Sequence, residues 1–395
     1  MRILHFSENG THIGGVEGYI ADVARALQIA GHESALAYFA PSEPGDLIPG
    51  ATQFLAAASS NDLYDQINHV LREFQPDVAF LHAVYQPGIV RWIAGQMPVL
   101  AYVHGPYLVC PGSGQYLRRS AQVCPRRAGP GCLINAQTQH CCFGRNPFRH
   151  LKKLQNVYEF IDTYSALPVL VGSEFMRDLL VRNGVPAETI AMLSPILLPD
   201  LLPEPWFQPD SRKILFAGRL VVEKGLGYVI EALSHVIGDW ELLVAGDGPD
   251  RQVFMDSVTY WKQNDKVRFL GWQDEIELAS LYSQSAFVVV PSLLPESFGR
   301  VGPEAARYGR PAIAFAAGGV SAWLDDGVTG YLVPPADITA LASNLQKLLD
   351  NPMECRQLGQ QAYSMAVSRW GERTHVQQLM RHFAAAIARW SKQVE

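Results

Sequence analysis

Short apolar runs alternate with amphipathic stretches along nearly the whole chain. In the first half Arg2–Ser7, Ser34–Phe39, Asp77–His82, Val99–His104, Ala166–Gly172 and Thr189–Ser194 read as strands. Each is short and apolar and is bounded by glycine or polar residues. Between them Val16–Ala30, Asp62–Phe74 and Ser173–Asn183 space their apolar residues as helices do. Continuously apolar strands separated by helices predict a parallel sheet covered on both faces.

The rhythm breaks at prolines 199, 203, 205 and 209. Proline lacks the N–H that a continuing helix or central strand needs, so 196–210 is expected to be a linker. The alternation then restarts, with strands at Lys213–Ala217, Trp240–Ala245, Val267–Gly271, Ala286–Pro291, Pro311–Phe315 and Gly330–Val333. Helices are expected at Gly225–Ile237, Pro249–Lys262, Glu275–Ser283 and Pro303–Tyr308, and again at Ile338–Leu349, Met353–Ser368 and Glu372–Lys392. The reading is an α/β chain of two doubly wound, Rossmann-like domains, 1–195 and 211–371, facing a cleft. Ligands of such sheets bind at the carboxyl ends of the strands. The last helix, within 372–395, carries an apolar face of Val376, Met380, Phe383, Ala384 and Ile387, which it is expected to bury on the first domain.

Composition narrows the class. With 395 residues, 48% hydrophobic and 18% charged, the chain is globular rather than disordered. Neither a secretory leader nor a run of about 18 apolar residues is seen, so a cytoplasmic protein, soluble or peripheral at the inner membrane face, is expected. The net charge of −6 hides an asymmetry. Val78 to Tyr158 contains no Asp or Glu but holds Arg91, Arg118, Arg119, Arg126, Arg127, Arg145, Arg149, Lys152 and Lys153. Such a field suits phosphate, an anionic lipid or an acidic polymer, with a solvated face as the plainer alternative. A nucleic-acid partner is not expected.

Three constellations carry chemistry. The first is Pro295-Glu-Ser-Phe-Gly299, followed by Glu304. Carboxylates accept paired hydrogen bonds from vicinal hydroxyls, and Ser297, Phe298, Gly299 and Arg300 lead into a helix whose open N–H groups face an anion. The second is Gly218-Arg219, then Lys224-Gly225, after the first strand of the second half. Two cations there can neutralise a diphosphate, although two solvated surface cations would look the same. The third is a glycine turn at 10, 14, 15 and 18, which does not match a dinucleotide fingerprint.

Together these motifs resemble the GT4-type retaining glycosyltransferases of the GT-B superfamily. Gly31-His-Glu33, Pro291-Ser292, Gly318-Gly319 and Asp326-Gly-Val-Thr-Gly330 strengthen the resemblance. It implies a nucleotide-sugar donor, UDP- or GDP-linked, and a hydroxyl acceptor that is anionic, lipid-linked or a polysaccharide precursor. Glu304 would hold the ribose, Glu296 the donor sugar, and Arg219 and Lys224 the diphosphate. Gly271 and Trp272 would lie near the base. Gly14 and Gly15 would approach phosphates or acceptor, and His104 would stand beside the reacting sugar. Catalysis would need no metal and no enzymatic nucleophile. The stretch Pro291–Pro295 is one residue longer than usual, and Pro303 replaces a helix-compatible residue, which affects the shape of the sugar pocket. A nucleotide-sugar epimerase and a non-catalytic carbohydrate- or nucleotide-binding protein are the rival readings.

Between 105 and 150 lies an insertion with little periodicity that holds Cys110, Cys124, Cys132, Cys141 and Cys142. No Cys-x2-Cys pair occurs, so structural zinc, disulfides and unlinked thiols all stay open. The expectation is that they fold a loop carrying Arg118, Arg119, Arg126 and Arg127 to the acceptor.

Overall fold

A computed structural model of the protein describes residues 1–11, 14–39, 48, 51–55, 62–120, 122–142, 146–195 and 211–394. The expected linker 196–210, Arg145, and His12 and Ile13 of the glycine turn lie outside these residues. The chain forms two compact units. Unit 1 comprises Met1–Gln115, Pro125–Leu197 and Glu372–Glu395; unit 2 comprises Tyr116–Cys124 and Leu198–Gly371.

The strands of unit 1 are β1 (Arg2–Ser7), β2 (Glu33–Tyr38), β3 (Gln53–Leu55), β4 (Val78–Leu81) and β5 (Val99–Val103). After the β6 (Tyr116–Leu117)–β7 (Gln122–Val123) hairpin come β8 (Val169–Val171) and β9 (Ile190–Met192). They pair in the parallel order β3-β2-β1-β4-β5-β8-β9. Helices cover both faces, which is why the strands are apolar throughout. Leu4, Phe6, Ala79, Leu81, Ala101 and Val103 pack on one side with residues of α2 (Leu63–Phe74), α3 (Pro87–Gln96), α5 (Pro147–Ser165) and α6 (Glu174–Arg182). Ile3, Val78, Phe80, Leu100 and Tyr102 point the other way, against Tyr19, Val23 and Leu27 of α1 (Gly15–Ile29) and Leu379 and Phe383 of the C-terminal helix. Phe383 sits edge-on to Phe80, with ring centroids 5.2 Å apart.

The cysteine-rich stretch is more ordered than its lack of periodicity suggests. It holds the β6–β7 hairpin and α4 (Gly131–Thr138), and α5 begins inside its expected boundary. Asn146 caps α5 by accepting hydrogen bonds from the Phe148 and Arg149 N–H groups. The strands expected at Asp77–His82 and Val99–His104 stop at Leu81 and Val103, so His82 and His104 are the first residues past β4 and β5.

Unit 2 is built on β10 (Lys213–Ala217), β11 (Glu241–Ala245), β12 (Val267–Gly271), β13 (Phe287–Val290), β14 (Ala312–Phe315) and β15 (Gly330–Val333). Their parallel order is β12-β11-β10-β13-β14-β15. The helices are α7 (Leu226–Leu233), α8 (Arg251–Tyr260), α9 (Glu275–Gln284), α10 (Val301–Arg307), α11 (Ile338–Asp350) and α12 (Pro352–Trp370); α13 (Glu372–Val394) returns to unit 1. Pro303 falls in the first turn of α10, where its missing N–H costs nothing. Tyr116 of the hairpin is buried in the core of this second unit. The strand order reverses between β1 and β4 in one sheet and between β10 and β13 in the other. In a sheet of this kind a ligand crevice opens at that place.

Candidate functional site

In unit 2 the turn after β10 is fastened to the segment after β13. Gly225 has a left-handed φ of +77°, and a Cβ there would stand 1.9 Å from the Pro291 carbonyl oxygen. Only glycine lets the two backbones come that close. The Leu293 N–H donates to the Glu223 carbonyl at 2.9 Å. Farther along, Gly318 (φ +66°) lies against the Glu296 backbone, and the Gly319 N–H donates to the Glu296 carbonyl at 2.6 Å. Two glycine contacts thus fix the loop from both sides.

The result is a short ion pair, with Lys224 Nζ 2.6 Å from Glu296 Oε1. Burial pushes the Glu296 carboxyl upward, but the Lys224 charge and hydrogen bonds from Lys224 and Ser292 outweigh it and hold the group below its ordinary 4.5. Arg219, the residue after Gly218, stands exposed just past the end of β10.

Glu304, on α10, belongs to a second group. Its two oxygens accept from Arg300 Nε at 3.1 Å and from the Tyr282 hydroxyl at 3.0 Å. Phe298 is buried, and its carbonyl accepts from Trp323 Nε1 at 2.6 Å. Ser297 is half-buried, and Gly299 takes a left-handed φ of +87°. Gly271 ends β12, and its carbonyl accepts the Gly246 N–H at 2.7 Å; Trp272 beside it is 71% exposed, which leaves a flat aromatic face open for stacking.

Three features escaped the sequence reading. Arg118 on the β6–β7 hairpin pairs with Glu223 at 3.1 Å, next to Lys224. Tyr282 anchors Glu304 from α9. Gly246 and Gly248 press against the backbone of Gly218 and Leu220, so a second glycine turn shapes the β10 end. That turn, Gly-Asp-Gly after an apolar run, was a readable signal.

His104, Gly14 and Gly15 lie in unit 1. Gly14 precedes α1, and its N–H donates to the Glu17 carboxylate at 3.0 Å. His104 is half-buried, with its Nε2 3.1 Å from Nδ1 of His82.

Among the described residues no three His, Cys, Asp or Glu side chains gather closely enough to hold a metal ion. Cys124 belongs to unit 2, whereas Cys110, Cys132, Cys141 and Cys142 belong to unit 1. Burial pushes the Cys110 thiol up to about 11, and Cys142 and Cys132 act on it in the same direction. The Cys141 carbonyl packs where Gly112 lacks a side chain.

The sequence model of Glycosyltransferase Family 4 matches residues 13–196, and that of Glycosyl transferases group 1 matches residues 202–365. The chain belongs to the GT4-type glycosyltransferases. Its fold is GT-B. Anabaena Alr3699/HepE in complex with UDP-glucose superposes with a TM-score of 0.73 at 18% identity, covering 98% of this chain and all of that one. Sucrose-phosphate synthase from Thermosynechococcus elongatus gives 0.73 at 22% identity, covering 98% and 99%. By sequence, this family member is 33% identical over 146 residues to alpha-D-kanosaminyltransferase of Streptomyces kanamyceticus, covering 36% of this chain and 38% of that protein. It is 31% identical over 186 residues to phosphatidyl-myo-inositol mannosyltransferase of Mycobacterium leprae, covering 46% and 49%. The match thus spans less than half of each of these relatives. Among the described residues no helix is long and apolar enough to cross a membrane.

Proposed function

We propose that the chain transfers a sugar, with retention at the anomeric carbon, from a nucleotide diphosphate sugar to a hydroxyl acceptor. The Lys224–Glu296 pair carries this reading: a cation and a carboxylate held 2.6 Å apart beside the β10–β13 crossover, with Arg219 exposed nearby. Lys224 and Arg219 would neutralise the diphosphate in the ground state and as it leaves, doing a metal's work. Glu296, relieved of Lys224 by the phosphates, would accept from donor-sugar hydroxyls. Glu304 would hold the ribose, and Trp272 would stack near the base. A neighbour of the same fold binds UDP-glucose, which makes UDP the first nucleotide to try. The test is incubation with UDP- and GDP-sugars, with and without added hydroxyl acceptors and with a chelator. Product of retained configuration, unaffected by the chelator, supports the reading. Epimer formation, or binding without turnover, overturns it.

The acceptor proposed is anionic or lipid-linked, met at the inner membrane face. Helices α4 and α5 expose Ile134 (65%), Phe148 (81%), Leu151 (43%) and Tyr158 (47%). Arg126, Arg127, Arg149 and Lys152 are exposed in the same acid-free stretch. Apolar side chains among cations suit an anionic interface. Salt-sensitive flotation with vesicles containing anionic lipid is expected. Flotation indifferent to salt and lipid charge would remove the membrane part alone.

A further inference from the structure

The Glu304 carboxylate is held by two donors that come from different helices of unit 2. Arg300, one turn ahead of Glu304 at the start of α10, donates from Nε to Oε1 at 3.1 Å. Tyr282 of α9, 22 positions away in sequence, donates its hydroxyl to Oε2 at 3.0 Å. The terminal torsion of a glutamate is soft. Arg300 alone would fix one oxygen and leave the carboxylate plane free to turn. A second donor, fixed to a second helix, sets the plane.

Tyr282 is itself clamped. It is buried, and its ring stacks on that of Tyr308, just past α10, with centroids 5.5 Å apart and an interplanar angle of 13°. Its carbonyl accepts from Arg310 Nε at 3.0 Å, and the Ser283 carbonyl accepts from Arg310 Nη2 at 2.8 Å. Arg310 is buried too, so the last carbonyls of α9 are capped by an enclosed side chain. Burial, with the Glu304 charge and hydrogen bond adding to it, pushes the Tyr282 hydroxyl well above its ordinary 10. The tyrosine therefore keeps its proton and is the donor of the pair. A carboxylate offers about four acceptor positions, two on each oxygen. Arg300 takes one on Oε1 and Tyr282 one on Oε2, and Glu304 makes no other side-chain hydrogen bond among the described residues. One position on each oxygen remains, side by side in a fixed plane, and Glu304 is only half-buried. Two adjacent hydroxyls match that arrangement; a single hydroxyl fills half of it.

We propose that Tyr282 is a positioning residue for nucleotide recognition: its hydroxyl fixes the Glu304 carboxylate so that both oxygens accept from a vicinal diol, which makes the protein select ribonucleotides over their 2′- and 3′-deoxy counterparts. The proposal rests on the reading of Glu304 as the ribose holder given under the proposed function. Tyr282 touches no substrate; it acts through Glu304 alone. Without its hydroxyl the carboxylate is free to turn and to take one ribose hydroxyl in place of two.

The test is calorimetric titration of the full chain with UDP, 2′-deoxy-UDP and 3′-deoxy-UDP, and with the same set of guanosine diphosphates. Wild type is expected to bind the ribonucleotide about 10-fold more tightly than either deoxy form, as loss of one hydrogen bond to a charged group implies. Tyr282→Phe keeps the stacked ring and the carbonyl that Arg310 caps. In it the ribonucleotide is expected to weaken to the level of the deoxy forms, whose own affinities stay as they were. A purely structural role would weaken all three alike; that result, or an unchanged ratio, overturns the proposal. Glu304→Gln is expected to lose the discrimination as well, and adding Tyr282→Phe to it should change the ratio no further. If Tyr282→Phe does not fold, a crystal structure of the wild-type chain with the nucleotide decides. The Tyr282–Glu304 hydrogen bond is expected to persist with both ribose hydroxyls on Glu304, and a carboxylate turned away from Tyr282 overturns the proposal. A wild-type chain that does not discriminate defeats the ribose reading and this proposal with it. A wild-type chain that discriminates, beside a Tyr282→Phe variant that does so equally, defeats this proposal alone.

Discussion

At the scale of single residues the Lys224–Glu296 pair joins the proposed function to stability. Lys224→Ala or Arg219→Ala is expected to lower kcat/KM by about 2–4 kcal/mol, as loss of one preorganised charge does elsewhere. Wild-type kinetics in both would contradict their assignment to the diphosphate. The same pair predicts a pH dependence. The Glu296 carboxyl is held below its ordinary 4.5, so the unfolded chain takes up its proton first as pH falls. Its contribution is complete above that ordinary value and disappears as pH drops through the folded one. Urea midpoints of wild type and Glu296→Gln should therefore converge on going from about pH 7 to about pH 3, and a constant gap would refute the coupling. These residues were readable in the sequence as carboxylate and cation. Their pairing was not, because 72 positions separate them and nothing local says that two loops touch.

At the scale of elements, glycine contacts decide which loops can meet. Gly225→Ala would set a methyl 1.9 Å from the Pro291 carbonyl oxygen, whereas Gly238 (φ +96°) has nothing within 4 Å. Each substitution meets the backbone penalty of a left-handed alanine, about 1 kcal/mol or more. Only Gly225→Ala must also move the Pro291–Glu296 loop. A larger loss of melting temperature and of donor affinity is thus expected for Gly225→Ala than for Gly238→Ala; equal effects would show that the close approach is unimportant. The strands were legible because both faces of each sheet are covered, leaving unbroken apolar runs. Helix α5 was not, since its buried His150, Leu154, Val157 and Phe160 are interleaved with an exposed Phe148, Leu151 and Tyr158 that blur the helical period. The three-residue β3 gave no signal of its own.

For the whole molecule, α13 supplies part of the first unit's core from the far end of the sequence. Phe383 is fully buried and edge-on to Phe80. Phe383→Ala is expected to cost about 3–5 kcal/mol, read as a lower urea midpoint. Hydrogen exchange should show unit 1 opening first, and protection lost only in unit 2 would contradict that placement. The apolar stripe of α13 announced that the helix buries a face. No stripe announced the β6–β7 hairpin, whose anchor is one buried Tyr116 and one Arg118–Glu223 pair in unit 2.

That hairpin has a consequence for how such a protein can be recombined. The chain leaves unit 1 after Gln115, returns at Pro125, leaves again after Leu197 and comes back at Glu372. A chimera joined once, in the proline-rich stretch, would inherit an Arg118 and a Tyr116 shaped by a different parent from the Glu223 they must meet. On the proposed donor assignment, exchanging donor preference between relatives cleanly requires carrying residues 116–124 together with 198–371, as a module broken in sequence but whole in space.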